Sequence, residues 1–442
     1  MTTDDPSLDP ERARANRPIC DAPEPEPPAA APPVVVRRRP SNRVIETVLL
    51  ASAAALLAAV AWPIATQGLL GAEKPAPVEE VATPTPTPAP SRDGPTIQIA
   101  LLLDTSGSMD GLLDQARSQL WRVVNALDSA TYHGDAPRLE IAVYEYGNDR
   151  LGAESGFVRQ VSPFSTELDL VSEALFGLTT SGGDEYAGKA IVSAIDQLEW
   201  RKGDDVLRVV YIAGNEAFDQ GPVNFRDAIE NARTSGIVVN TVNCLGMGAT
   251  PDVGWAEAAS LAGGKFLQID HNAVERYIAA PQDDEIAQIG QRINDTYVGY
   301  GGRGTAGLDN LARQDNNSAG AGMHSAVERA LSKGGKHYRN PSWDLVDGLA
   351  EGVIDIDEVD RGTLAPELQE LDPEALADFV DGKAKERKAL QKQLGELQTE
   401  REAFVSAERA RQAGEDGTRL DDAIIGSIVE QATAAGFSLG RA

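Results

Sequence analysis

The chain has 442 residues, 42% of them hydrophobic, and a formal net charge of −28. That length holds one large domain with appendages. The acidic balance argues against nucleic acid as a partner, because phosphate recognition needs basic patches. It suits a self-repelling soluble surface and cation binding.

Residues 1–43 are rich in Pro, Ala and charge, as in PEPEPPAAAPP, and offer little to build a core from, which predicts a disordered tail. The tail ends in Arg37, Arg38, Arg39 and Arg43. The next stretch, residues 44–65, reads VIETVLLASAAALLAAVAWPIA and carries Glu46 as its one charge. About 20 apolar residues span a bilayer. The arginines on its leading side orient it with residues 1–43 cytoplasmic and the remainder translocated. A cleaved signal peptide would require an unusually long leading region. The expectation is therefore one transmembrane helix, a single-pass protein of the inner membrane, and a periplasmic or extracytoplasmic body. Cys20 and Cys244 fall on opposite sides of that span, so the fold does not rest on a disulfide. Residues 66–95 form a Pro-rich linker, whose TPTPTP favours extended polyproline II at about 3.1 Å per residue.

At Thr96 the pattern changes. TIQIALLLD is an apolar run too short for a membrane and rich in strand formers, which predicts a strand buried on both faces. It stops at Asp104 and is followed by Thr105-Ser106-Gly107-Ser108 and a helical pattern over residues 112–127. Residues 139–146 predict a second strand, and 157–164 an antiparallel edge strand close behind it. Helices are predicted over 168–178 and 187–200, a buried strand over 206–212, a helix over 225–233 and a strand over 237–243. A helix over 253–261, a short strand over 266–269 and helix from Asn272 onward follow. Repeated strand–helix units of this kind make an α/β fold: a doubly wound, mostly parallel sheet with helices on both faces.

In open α/β sheets, ligands sit where the carboxyl ends of strands meet the following loops. Asp104, Ser106 and Ser108 place a carboxylate and two hydroxyls on such a loop at alternate positions, hard oxygen donors that suit Mg²⁺ or Ca²⁺. The plainer alternative is a turn that caps the next helix.

This D-x-S-x-S, set between a strand and an amphipathic helix, resembles the first loop of the metal-ion-dependent adhesion site of von Willebrand factor A-like domains, and the resemblance covers about residues 96–280. The combination of GGDEYAGKAI, IAGNEAFDQGPVNF and YIAAPQDDEI is also similar to a membrane-tethered bacterial subset of that family with a helical C-terminal tail. The resemblance implies a divalent cation, Mg²⁺ with Ca²⁺ or Mn²⁺ as alternatives, that takes a carboxylate from a partner protein. It also implies a Thr from a second loop and an Asp from a third. Here the second loop has Gly182-Gly183-Asp184, so Asp184 stands where Thr is expected. The third loop has Gly214-Asn215-Glu216, which leaves Asn215 or Glu216 as the donor. The candidate metal ligands are therefore Asp104, Ser106, Ser108, Asp184 and Glu216. If all three acids coordinated, they would over-neutralise a divalent ion, favour Ca²⁺ and weaken its pull on a partner carboxylate.

Other chemistry finds little support. Four histidines are present, no G-x-S-x-G elbow occurs, and GYGGRGTAG at 299–307 lacks the Lys-Ser/Thr of a phosphate loop. No enzyme activity is expected. The domain is taken to end at residue 298, with a flexible Gly-rich joint at 299–336 that carries one short helical patch near Val327, and a helical C-terminal region at 337–442. Trp343, Leu345, Val346 and Leu349 predict a local satellite core. Leu390, Leu394, Leu397 and Phe404 have helical spacing, but Lys383, Arg387 and Arg401 interrupt the heptads, so a long solvated helix packing one stripe is a safer expectation than a coiled coil. A last amphipathic helix is expected over 421–435. The reading that results is a membrane-anchored, metal-assisted protein-binding module at the cell envelope. A metal-free scaffold working, or oligomerising, through its C-terminal helices is the alternative.

Overall fold

Alternate residues of Thr96–Asp104 go to opposite faces of a sheet. Ile97, Ile99 and Leu103 join one apolar cluster, whereas Ala100 and Leu102 join another. The computed structural model describes residues 94–245, 253–272, 277–411 and 420–439. The expected tail, membrane span and nearly all of the linker lie outside them. Among the described residues no helix is long and apolar enough to cross a membrane.

The strands are β1 (Thr96–Asp104), β2 (Thr131–Tyr132), β3 (Arg138–Tyr146), β4 (Val158–Ser165), β5 (Val206–Gly214), β6 (Val238–Asn243), β7 (Phe266–Gln268) and β8 (Phe437–Ser438). Six of them form a sheet in the order β4-β3-β1-β5-β6-β7. All its pairings are parallel except β3–β4, the antiparallel edge that the short connection predicted. The register puts Asp104 beside Tyr146 at the carboxyl edge, with Leu103 beside Ala213.

The helices are α1 (Asp110–Leu127), α2 (Leu168–Gly177), α3 (Ala187–Gln197), α4 (Phe225–Thr234), α5 (Val253–Leu261), α6 (Asp283–Asn294), α7 (Gly304–Gly320), α8 (Met323–Ser332), α9 (Leu345–Ala350), α10 (Pro366–Gln369), α11 (Pro373–Arg411) and α12 (Leu420–Ala434). Helices α3, α4 and α5 cover one face of the sheet. The other face is covered by α1, α2, α6, α8 and, from the far end of the sequence, α12. The helix expected from Asn272 onward is absent at 277–280 and begins at Asp283.

Three expectations change here. Residues 299–336 are not a flexible joint but hold α7 and α8. The glycines serve close packing: a Cβ on Gly307 would lie 2.3 Å from the Trp343 ring, and one on Gly304 would lie 2.7 Å from the Gly299 carbonyl carbon. Trp121 of α1 then anchors both helices, donating from Nε1 to Ser318 Oγ at 3.0 Å while the Arg329 guanidinium stacks 4.6 Å from its ring.

The second change concerns the long helix. Arg387 and Arg401, read as interruptions of its apolar stripe, are part of that stripe and are 5% and 7% exposed. They share it with Leu376, Val380, Leu390 and Leu394. Arg387 donates to Asp344 at 2.7 Å and Asp347 at 2.9 Å, and Arg401 donates to Asp283 at 2.8 Å and Glu328 at 3.1 Å. The stripe is thus occupied by the chain's own body rather than by a coiled-coil partner.

The third change concerns the domain boundary. Ile424, Ile428 and Phe437 belong to the same apolar cluster as Ile97 and Ile99, so the core does not close at residue 298. The expected satellite core is present: Leu345 and Val346 pack with Val298, Leu364 and Leu376, although Trp343 turns into the main core.

Candidate metal site

The first loop of interest follows β1, the second precedes α3 and the third follows β5, with the turn after β3 beside them. The first loop is fixed by the backbone. Asp104 accepts the Ser106 N–H on Oδ1 at 2.7 Å, and Thr105 N–H donates to the Tyr146 carbonyl at 2.8 Å. The second is strapped to it. Ser181 N–H donates to the Thr105 carbonyl at 3.0 Å, and Asn148 Nδ2 donates to the Thr179 carbonyl at 2.8 Å. The third is anchored by Trp255, whose Nε1 donates to the Glu216 carbonyl at 2.7 Å, and by Phe218 packed against that indole.

The Asp104 side chain is fully buried and Ser106 is 4% exposed. Asp104 Oδ2, Ser106 Oγ and Asn215 Oδ1 are buried without a well-formed hydrogen bond among the described residues, although the Glu185 carboxyl lies within reach of Asp104 and Ser106. Leaving such oxygens unpaired costs about 1–3 kcal/mol each. Three such oxygens from two adjoining loops are therefore a donor set lacking its acceptor. Ser108, more exposed, accepts from Asn215 Nδ2 at 3.1 Å. Of the two candidates in the third loop, it is thus Asn215 that reaches Ser108. Glu216 is exposed, and its charge acts on the site only from a distance.

Asp184 does not face this site. It is exposed and accepts from the Tyr186 hydroxyl at 3.0 Å. Its neighbour Glu185 turns inward instead, 7% exposed, with its carboxyl against Asp104 and Ser106. Alternation along an extended segment lets only one of two adjacent acids point in. Aligning on Gly182-Gly183 selected the wrong member of the pair. Thr180 is engaged elsewhere, donating to Asp110 Oδ1 at 2.5 Å.

Gly147, with φ +78°, makes room for the two acids: a Cβ there would lie 2.8 Å from both Asp104 Oδ1 and Glu185 Cγ. Burial, and then the Asp104 charge, push the Glu185 carboxyl up to about 9, and burial also raises Asp104. A proton on Glu185 thus sits where a cation would neutralise both acids. The oxygen-rich donor set fits a hard divalent ion. Among the described residues no group of three or more His, Cys, Asp or Glu is placed to hold a metal.

His271 follows β7 at the same edge, against Gly111, whose Cβ would lie 2.3 Å from the His271 carbonyl. Its Nδ1 faces the Cys244 carbonyl and its Nε2 faces Asn272 at 2.9 Å, so it is bonded to neither serine.

The sequence over residues 98–265 matches the model of the von Willebrand factor type A domain. The chain carries a von Willebrand factor type A domain. No curated protein is a significant sequence match to the chain. Among solved structures, the type A domain is similar to an aerotolerance-related membrane protein from Bacteroides fragilis NCTC 9343, with 15% identity, 39% of this chain and 92% of that one covered, and a TM-score of 0.28. The SpRpn10 VWA domain matches at 13% identity over 39% of this chain and 88% of that one, with a TM-score of 0.30. Proximal thread matrix protein 1 from the mussel byssus, solved with a zinc-occupied MIDAS motif, matches at 16% identity over 40% of this chain and 42% of that one, with a TM-score of 0.29. Type A domains are generally interaction modules, some of them metal-dependent.

Proposed function

We propose that the protein binds another protein through its type A domain, with a divalent cation ordering the recognition loops, and performs no catalysis. The observation that carries this reading is that Asp104 Oδ2, Ser106 Oγ and Asn215 Oδ1, on the loops that follow β1 and β5 at the carboxyl edge of the sheet, are buried without a well-formed hydrogen bond. Asp104, Ser106, Ser108, Asn215 and Glu185 would hold the ion. When bound, it would supply positive charge that draws the first, second and third loops together. Mg²⁺ is the first choice on donor hardness, and a second carboxylate from Glu185 raises the claim of Ca²⁺. The arginine cluster before residues 44–65, together with the apolar composition of that stretch, supports a single-pass inner-membrane anchor, with the domain held outside the cytoplasm on its Pro-rich tether.

Thermal unfolding of the full-length chain in detergent, with Mg²⁺, with Ca²⁺ and with chelator, tests the cation. A ligand at a hundredfold excess over its dissociation constant stabilises by about 2.7 kcal/mol. The midpoint rises with cation in the wild type and stays at the chelated value in Asp104→Ala. Equal midpoints in all wild-type samples would remove the metal from this account. Protease digestion of spheroplasts tests the orientation, with residues beyond 66 cleaved from outside.

A further inference from the structure

We propose that Glu185 is the site's own acidic ligand, filling from within the place that an acidic side chain of a partner would otherwise take. This rests on the cation-binding reading above and specifies its partner chemistry. The domain would recognise a surface that needs no carboxylate, with the cation serving to order the loops.

The geometry points inward at every step. Glu185 is 7% exposed, and its carboxyl lies beside the fully buried Asp104 and within reach of the buried Ser106 hydroxyl. The backbone is shaped around the two acids together, since Gly147 leaves the space that a Cβ would take from Asp104 Oδ1 and Glu185 Cγ alike, 2.8 Å from each. The flanking bonds fix the direction of the side chain. Asp149 N–H donates to the Gly182 carbonyl at 2.7 Å, Ala187 N–H donates to the Glu185 carbonyl at 3.1 Å, and Asp184 is held outward by Tyr186. Two carboxylates balance the charge of a divalent ion. A third, arriving from a partner, would find little net charge to attract it.

Mn²⁺ serves as the probe, bound to the full-length chain in detergent. Its affinity is read from the free-ion paramagnetic signal, and its hydration from water-proton relaxation, with acetate added as a soluble carboxylate. The wild type is expected to bind Mn²⁺ with low relaxation per ion that acetate leaves unchanged. Glu185→Ala is expected to weaken binding about tenfold or more, raise relaxation per ion and make it fall on adding acetate. Glu185→Gln keeps the size of the side chain and a neutral oxygen, and is expected to show an intermediate loss of affinity with its fold intact by circular dichroism. Wild-type relaxation that falls with acetate would overturn the proposal. So would a folded Glu185→Gln or Glu185→Ala protein that matches the wild type in affinity and relaxation. Binding that is lost in Asp104→Ala but unaffected at Glu185 sinks this proposal alone. Absence of wild-type binding sinks it together with the cation reading.

Discussion

The Tyr211 hydroxyl on β5 lies 2.7 Å from Ser427 Oγ on α12, both groups buried. This contact joins the middle of the type A sheet to a helix near the end of the chain. Beside it, Asn240 and Gln431 pair their side-chain amides at 3.0 and 2.7 Å. A small apolar cavity of about 40 Å³ remains between the sheet, α1 and α12, lined by Leu101, Leu120, Tyr211, Val242 and Ile424 among others. The domain is therefore closed by a helix well outside residues 98–265, to which its family pattern is confined.

A fragment ending at residue 298 should consequently expose an apolar sheet face and aggregate or fail to fold. Within the full chain, Ile428→Ala, at a fully buried position, is expected to cost about 2–5 kcal/mol. Tyr211→Phe should cost about 0.5–1.5 kcal/mol, since Ser427 keeps its bonds to the Ala423 and Ile424 carbonyls. Urea unfolding curves measure both. A loss under 1 kcal/mol for Ile428→Ala would show that α12 packs more loosely than described here.

The buried arginines of α11 make a second prediction. Arg387→Ala leaves Asp344, 0% exposed, without its cation and leaves Asp347, 2% exposed, with only the half-exposed Arg339 at 3.7 Å. Breaking a buried pair from one side typically costs about 3–5 kcal/mol. Lys385→Ala removes only an exposed pair with Asp381, which solvent screens, and should leave stability essentially unchanged. Equal effects from the two substitutions would contradict the burial of the Arg387 stripe.

These elements also show what sequence patterning can and cannot reach. The strands were legible because burial on both faces makes continuous apolar runs, and the D-x-S-x-S loop because it follows one of them directly. Arg387 and Arg401 were not legible, because the acids that justify their burial lie on distant segments. The run at 299–307 misled for a related reason. Glycines that let Gly304 approach Gly299, and Gly307 approach Trp343, have the same composition as a flexible joint. The inward acid was missed by one residue, because Asp184 and Glu185 differ only in which way an extended backbone turns them.

The pair Asp104–Glu185 sets a pH dependence. The Glu185 carboxyl has an ordinary value of 4.5 and is raised to about 9 in the folded chain. Folding without a divalent cation therefore takes up a proton within that window. The stability it contributes is fully present below pH 4.5 and is lost as pH rises toward 9. In chelator, Glu185→Gln should flatten this slope. Chemical denaturation at several pH values measures it, and an identical slope in the variant would show that Glu185 does not carry the proton.

Cys244 offers a check on the core beside the site. It is fully buried, and burial, followed by the Asp104 charge, raises its thiol well above the usual range. In a Cys20→Ser background, a thiol reagent should label no cysteine in the native protein and one after unfolding. Rapid native labelling would mean that β6 opens at its carboxyl end.

The buried oxygens of Asp104, Ser106 and Asn215 are expected to receive a divalent cation. The most direct measurement is a calorimetric titration of Mg²⁺, and separately Ca²⁺, into the chelator-stripped full-length chain at pH 7, in two buffers of different ionisation enthalpy. Saturable binding at one ion per chain is expected, lost in Asp104→Ala. The heat should depend on the buffer, because the proton held by Glu185 leaves as the ion enters. No saturable heat from either ion in a chain verified to be metal-free would contradict the account.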